Sequence, residues 1–302
     1  MSLSTRSKST LFFYLFSLIF ISNAPVSAQI LKPEKQFKLR GQIKIDADHY
    51  DAFFDDKAQK TTTNIELRQA KITAIYKPFE HWKSKLQLKY KYENSDNKEY
   101  GIADAYITYT GFAWLDILTG KMKEPFSLER LTGASSLTSI ERSMVTDAFA
   151  PDRSYGVQLV NNKKHYTWAL GVFQKNTDRD ATRSITARTT FAPVQTNQQT
   201  LHLGMSVSIR DRLNQTFQVK ESAELNTADN IIRSARFDAS KSYVNGFESV
   251  WQYQPIKLQS ELFFARTEDV TGMNWNYSGF YLQASGFVTG EHADYKKGRF
   301  KN

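Results

Sequence analysis

Across residues 37–48 apolar and charged residues change places at every step. Phe37, Leu39, Gly41, Ile43, Ile45 and Ala47 fall on one side, and Lys38, Arg40, Gln42, Lys44, Asp46 and Asp48 on the other. Successive strand side chains point to opposite faces, so this pattern predicts a strand with one greasy and one charged face. Residues 82–92 repeat it, with Lys83, Lys85, Gln87, Lys89 and Lys91 forming the polar face. The same period recurs at 103–109, 166–172, 185–191, 201–209, 243–253, 258–264 and 279–289. Residues 63–76 change parity, from Ile65 and Leu67 to Ala70, Ile72, Ala74 and Tyr76, and a bulge near Gln69 restores the phase.

Strands of this length, about ten residues, suit a tilted crossing of a bilayer. The fold class expected is all-β, a transmembrane antiparallel β-barrel, because a closed barrel leaves no unpaired backbone in lipid. A β-sandwich or a lipocalin-like barrel also alternates, but the pattern here runs on past the length of the small barrel. Connections at 77–81, 111–113, 161–164 and 254–256 are tight, while those at 51–62, 94–100, 124–153, 175–181, 211–242 and 267–277 are longer and polar. Short periplasmic turns alternating with long external loops are the rhythm of outer-membrane barrels. With the N-terminus in the periplasm, the twelfth strand ends near Thr289. No strand with a terminal aromatic residue follows before Asn302. The expectation is a barrel incomplete at its C-terminus, the other possibility being a twelve-strand barrel that closes as it stands.

Residues 1–28 read as an export signal. Arg6 and Lys8 precede the apolar run 11–21, and Val26-Ser27-Ala28 is a small-residue cleavage site. The run is too short for a spanning helix, which needs about 20 residues. Residues 29–302 are then expected to form one β-barrel domain. Losing Arg6 and Lys8 lowers the formal charge from +9 to +7. The absence of cysteine excludes a disulfide scaffold or thiolate metal site. Fifteen Tyr and 21 Phe suit the aromatic girdles of a membrane barrel.

Charge supplies the candidate chemistry. Rings of Lys or Arg select anions in pores. Lys38, Arg40 and Lys44 on the first strand, Lys83, Lys85, Lys89 and Lys91 on the third, and Lys121 and Lys123 on the fifth share the polar parity, and Arg188 and Arg210 follow later. A lipid-facing Lys at the midplane costs about 2–4 kcal/mol, so these faces belong to water. Arg grips phosphate with paired donors, whereas Lys is a point charge that an ion leaves easily. Residues 124–153 are the expected constriction loop. Arg130, Arg142 and Arg153 are its candidate contacts, with Glu129 and Glu141 expected to hold those arginines by pairing. The five histidines are scattered, and no zincin, Walker, dinucleotide or nucleophile-elbow motif occurs. His202 and Ser206 share a face but have no third group to orient them. Neither enzyme activity, nor a cofactor, nor a metal, nor a nucleic-acid partner is expected.

Several segments resemble the phosphate-selective porin O and P family. They are Glu66-Leu67-Arg68-Gln69-Ala70-Lys71, Trp82-Lys83-Ser84-Lys85-Leu86, Asp104-Ala105-Tyr106-Ile107, Gly120-Lys121-Met122-Lys123-Glu124-Pro125-Phe126-Ser127-Leu128-Glu129, Glu141-Arg142-Ser143, 278–285 and Thr289-Gly290-Glu291. The resemblance implies a sixteen-strand, homotrimeric channel of the Gram-negative outer membrane that is embedded in lipid and passes inorganic phosphate or related small anions. It adds Arg68 to the lumen-facing cations. A general-diffusion porin with an anion bias and a structural or adhesive barrel remain the alternatives.

Overall fold

The computed structural model describes residues 33–50, 62–94, 97–175, 182–222, 224 and 230–301. The expected export signal, residues 1–28, and residues 51–61 and 176–181, in two of the expected loops, lie outside them. In chain order the elements are β1 (Pro33–Tyr50), β2 (Thr62–Phe79), β3 (Trp82–Asn94), β4 (Asn97–Phe112), β5 (Leu115–Lys123), α1 (Leu128–Leu131), α2 (Met144–Phe149), β6 (Arg153–Asn162), β7 (Tyr166–Lys175), β8 (Thr182–Gln195), β9 (Gln199–Phe217), β10 (Lys220–Ser222), β11 (Asn230–Arg233), β12 (Phe237–Tyr253), β13 (Ile256–Asp269), β14 (Asn274–Gly286), β15 (Asp294–Lys296) and β16 (Arg299–Lys301). Twelve of the strands make one sheet in the order β1 through β9, β12, β13, β14, and the two remaining pairs make small hairpins. Every neighbour is joined antiparallel wherever the register is defined. Among the described residues no pairing joins β14 to β1.

The strands run longer than the alternation predicts. Residues 95–96 alone separate β3 from β4, and the expected loops at 211–242 and 267–277 shrink to 218–236 and 270–273. Backbone pairing continues past the apolar band, where side chains have no reason to alternate. The parity change in the second strand falls between Arg68 and Gln69. Ile65 and Leu67 are exposed before it and Ile72 and Tyr76 after it, while Arg68 and Thr73 are buried.

The wall is inverted relative to a water-soluble protein. On β13, Glu261 is 2% exposed and its neighbour Phe264 is 45% exposed. On β8, Thr182, Ser184, Thr186 and Arg188 are buried while Ile185 and Phe191 face out. An apolar outer band this extensive belongs against acyl chains. Aromatic pairs mark its edge near the short turns: Trp82–Tyr109 at 4.9 Å, Tyr109–Phe112 at 5.4 Å and Trp251–Tyr253 at 6.1 Å between ring centroids. Amphipathic rings settle at such lipid–water boundaries. No helix among the described residues is long and apolar enough to cross a membrane.

Candidate functional site: a basic cavity beside an inward-folded loop

The β5–β6 loop, residues 124–152, folds against the inner face of the wall. Pro125 ends β5, since it cannot donate to the ladder. Fully buried Glu124 then accepts from Ser154 (2.7 Å), Ser184 (3.0 Å), Thr186 (2.6 Å) and Arg210 (2.9 Å), which joins the loop to β6, β8 and β9. Phe126 stacks on Phe263 of β13 at 6.1 Å within a cluster that includes Val244 and Ala265. The Glu261 carboxylate accepts the amide hydrogens of Leu128 (2.9 Å) and Glu129 (2.7 Å), and Tyr281 donates to the same carboxylate at 2.8 Å. These contacts offset the left-handed backbone of Ser127, φ 63°, a conformation that costs a non-glycine residue about 1–3 kcal/mol.

Within the loop, Ser143 caps α2 by accepting the Thr146 amide at 3.3 Å, and Glu129 holds Ser143 by accepting from its amide (3.1 Å) and hydroxyl (2.8 Å). Arg142 donates to the carbonyls of Glu129 (3.2 Å) and Thr132 (2.9 Å), and Arg130 pairs with Asp147 at 2.7 Å. Lys123 donates to the Arg130 carbonyl. The expectation that Glu129 and Glu141 clamp loop arginines is therefore corrected. Glu129 serves the loop backbone, and Glu141 reaches the opposite wall. Its carboxylate meets Lys44 of β1 at 2.6 Å and Arg68 of β2 at 3.2 Å.

Between this loop and the inner faces of β1–β6 lies a cavity of about 930 Å³. Fifteen Lys or Arg and five Asp or Glu of the described residues line it, so its walls are strongly positive. Lys83, Lys85, Lys89 and Lys91 of β3 line it. Arg40, Lys44, Arg68, Lys121, Lys123, Arg130, Arg142 and Arg153 also line it. Part of the charge is matched. Asp104 bridges Lys85 and Arg153, each at 2.6 Å, and Lys89 meets Glu99 at 2.6 Å. Burial opposes ionisation of Asp152, yet Arg153, Arg130 and Lys123 around it hold its carboxyl well below the usual range. Burial likewise opposes ionisation of Glu141, and the hydrogen bond from Lys44 and the charge of Arg68 outweigh it and lower its pKa. Arg142 is pushed down by its own burial and by neighbouring Arg130.

Three expected cations lie elsewhere. Lys38 is exposed on β1, away from the cavity. Arg188 and Arg210 point inward, as their parity requires, but are buried in ion pairs with Glu248 (2.6 Å) and Glu124 (2.9 Å). Parity gives direction and says nothing of what lies on top. Arg188 also donates to the carbonyl of Gly298, beside β16. His202 and Ser206 do not form a pair: His202 lies 2.8 Å from the Tyr295 hydroxyl and 3.3 Å from Glu248, and Ser206 accepts the amide of Ser127 at 3.3 Å. Lys71, Lys175 and Arg299 line the cavity without having been expected there. Lys71 was hidden by the phase change at Arg68–Gln69, and Arg299 follows the last alternating segment. Glu261 has inward parity on its strand, a signal present in the sequence and passed over.

Residues 37–302 match the family described as phosphate-selective porin O and P. Porin O of Pseudomonas aeruginosa is 24% identical over 87% of this chain and 66% of its own length. An uncharacterized protein of Caulobacter vibrioides is 25% identical over 91% of this chain and 58% of its own. The chain thus spans less than two thirds of the length of either relative. Among solved structures, the outer membrane channel DcaP of Acinetobacter baumannii is similar at 13% identity and a TM-score of 0.38, over 85% of this chain and 99% of that one. That likeness is too loose to argue from.

Proposed function

We propose that this chain, which belongs to the phosphate-selective porin O and P family, lets phosphate or related small anions diffuse passively through a Lys- and Arg-lined pore. It lies in the outer membrane of a Gram-negative bacterium, with its apolar outer face against lipid. Residues 29–302 act as one porin domain, and the sixteen strands and homotrimer that the resemblance implies belong to the same proposal. The observation that carries the reading is the cavity: ten more positive than negative side chains line it, beside a loop fastened to the inner wall. Cations on alternate positions of one strand form a ladder of modest sites. Throughput requires each site to bind weakly enough to release its ion.

Current through the reconstituted protein in a planar bilayer tests this. In a potassium chloride gradient the reversal potential is expected to favour chloride, and added phosphate is expected to block the chloride current. A current indifferent to phosphate, with only a mild anion preference, supports the second reading, a general-diffusion porin. One observation favours that alternative: Lys44, Arg68, Lys85, Lys89, Arg130 and Arg153 all carry carboxylate partners, which shortens the unmatched ladder.

A further inference from the structure

Two elements pack on the inner wall, the β5–β6 loop and the β15–β16 hairpin, and they meet beside one pair of carboxylates. Glu248 of β12 and Glu261 of β13 are directly opposed in the register, and both are buried. Like charges opposite one another on paired strands repel. The donors on Glu261 are uncharged: the amides of Leu128 and Glu129 and the Tyr281 hydroxyl. Glu248 has one guanidinium, Arg188 at 2.6 Å, and its Oε2 has no hydrogen-bond partner among the described residues. Two carboxylates against one guanidinium leave one negative charge. Lys257 and Arg299 approach the junction, but neither pairs with Glu248 or Glu261 among the described residues. Lys257 lies 5.9 Å over the Phe300 ring and donates to Thr138, and Arg299, whose charge acts on Arg188, lines the cavity. Glu129 turns its own carboxylate to Ser143.

His202 of β9 sits between this pair and the hairpin. Its Nε2 lies 3.3 Å from Glu248 Oε1 and its Nδ1 2.8 Å from the Tyr295 hydroxyl. The rings of Tyr295 and Phe300 close over it edge-on, at 5.5 and 6.0 Å, and leave it fully buried. Both partners suit an imidazolium: the carboxylate accepts from Nε2, and the hydroxyl accepts from Nδ1 once its own hydrogen turns away. We infer that His202 is a proton-binding site: packing of the β15–β16 hairpin on the wall is linked to uptake of a proton that balances the Glu248–Glu261 pair. The hairpin takes water from a cluster of net negative charge, and a buried charge without a partner is costly. A proton on His202 makes the cluster neutral and its bond to Glu248 charge-assisted. The packed state therefore binds the proton more tightly, so packing is strongest in acid and weakens as pH rises through the imidazole range, about 5 to 8. Arg188 on the Gly298 carbonyl (2.9 Å), Gln252 on the Ala293 carbonyl (3.0 Å) and the apolar cluster of Leu128, Val250, Ala293 and Phe300 hold the hairpin at every pH. The proton sets how often it opens. This goes beyond the anion-channel reading and does not depend on which ion passes.

The test uses the full chain inserted in liposomes and a water-soluble thiol reagent. The chain has no cysteine, so Ala293→Cys, at a buried position next to β15, reports opening of the hairpin. Its labelling rate is divided by that of the exposed Lys164→Cys, which cancels the pH dependence of the thiol itself. The ratio is expected to rise between about pH 5 and 8, by at most about tenfold per pH unit because one proton is involved. Adding His202→Gln is expected to flatten it. Adding Glu221→Gln, or His292→Gln beside the reporter, is expected to leave the rise in place. A flat ratio in the parent, a rise that survives His202→Gln, or a rise lost in either control overturns the inference. If His202→Gln fails to insert, Tyr295→Phe keeps the ring over the imidazole and removes only the hydroxyl. A smaller rise is expected there, and an undiminished one overturns the inference.

Discussion

Beneath β1–β6 the interior is open and cationic, while beneath β8–β14 it is filled. Both regions bury charge on the same alternating strands, and the difference lies in what faces each charge. In the filled region Arg210 meets Glu124, Arg188 meets Glu248, and Phe126 and Leu128 occupy the remaining space against Phe263 and Val250. In the open region Lys83 and Lys71 have no hydrogen-bond or ion-pair partner among the described residues and face a cavity. One loop borders both regions: its base packs against β8, β9 and β13, and its tip reaches Lys257 of β13 through Thr138 and Lys44 and Arg68 of β1 and β2 through Glu141. The open region also holds matched pairs, such as Lys85 with Asp104, so what sets it apart is the surplus of cations left after pairing and the absence of apolar side chains filling the space between them.

The sharpest way to break the comparison is to unfasten the loop base. Arg210→Ala leaves Glu124 buried with hydroxyl partners alone, and stranding a buried charge costs about 3–5 kcal/mol. Phe126→Ala opens a void of similar cost, about 3–5 kcal/mol. Denaturant titration of the folded barrel is expected to report both losses, and single-channel records a larger, noisier conductance. An unchanged conductance would mean the loop does not narrow the passage. Next in size, replacing Lys83, Lys85, Lys89 and Lys91 together with Gln is expected to cut the anion-to-cation permeability ratio several-fold while leaving thermal unfolding in place. A reversal potential that does not move would remove β3 from the selecting wall.

A smaller effect is expected at the β10–β11 hairpin, outside the membrane-crossing strands. Burial, together with the charge of Asp147, raises Glu221 from 4.5 to about 7. A carboxyl whose folded pKa is raised binds its proton more tightly in the docked state, so docking is strongest below about 4.5 and weakens as pH rises to about 7. Proteolysis of the hairpin is expected to accelerate over that window, and Glu221→Gln to flatten the dependence. Smallest of all, Glu99→Gln removes the half-exposed partner of Lys89. Exposed pairs contribute about 0–1 kcal/mol, so stability should hardly change while chloride preference rises slightly. A large destabilisation there would show that the open region, too, depends on matched charge.

Much of this was legible in the sequence. Period-two alternation gave the number of wall strands, the direction of the β3 lysines and the phase change near Gln69, because lipid on one side and water on the other force each side chain to choose. The partners inside were not legible. Arg210 and Lys89 share the same inward parity, and nothing local says that Glu124, 86 residues before Arg210, will lie against one of them. Glu141 was read as a brace for nearby arginines, since sequence proximity suggests pairing. The fold carries it to residues 97 and 73 positions away instead.

The carboxylate of Glu261 has a consequence for the order of assembly. It receives the Leu128 and Glu129 amides from 133 and 132 residues earlier in the chain. Contacts so remote form late, because the intervening chain must be ordered before closing the loop is rewarded. Until β13 is seated, the β5–β6 loop has no acceptor for those amides and Phe126 has no ring to stack on. Before β13 pairs, the loop has only the fastening of Glu124 to β6, β8 and β9, and the step that seats β13 is the one that completes its attachment to the wall.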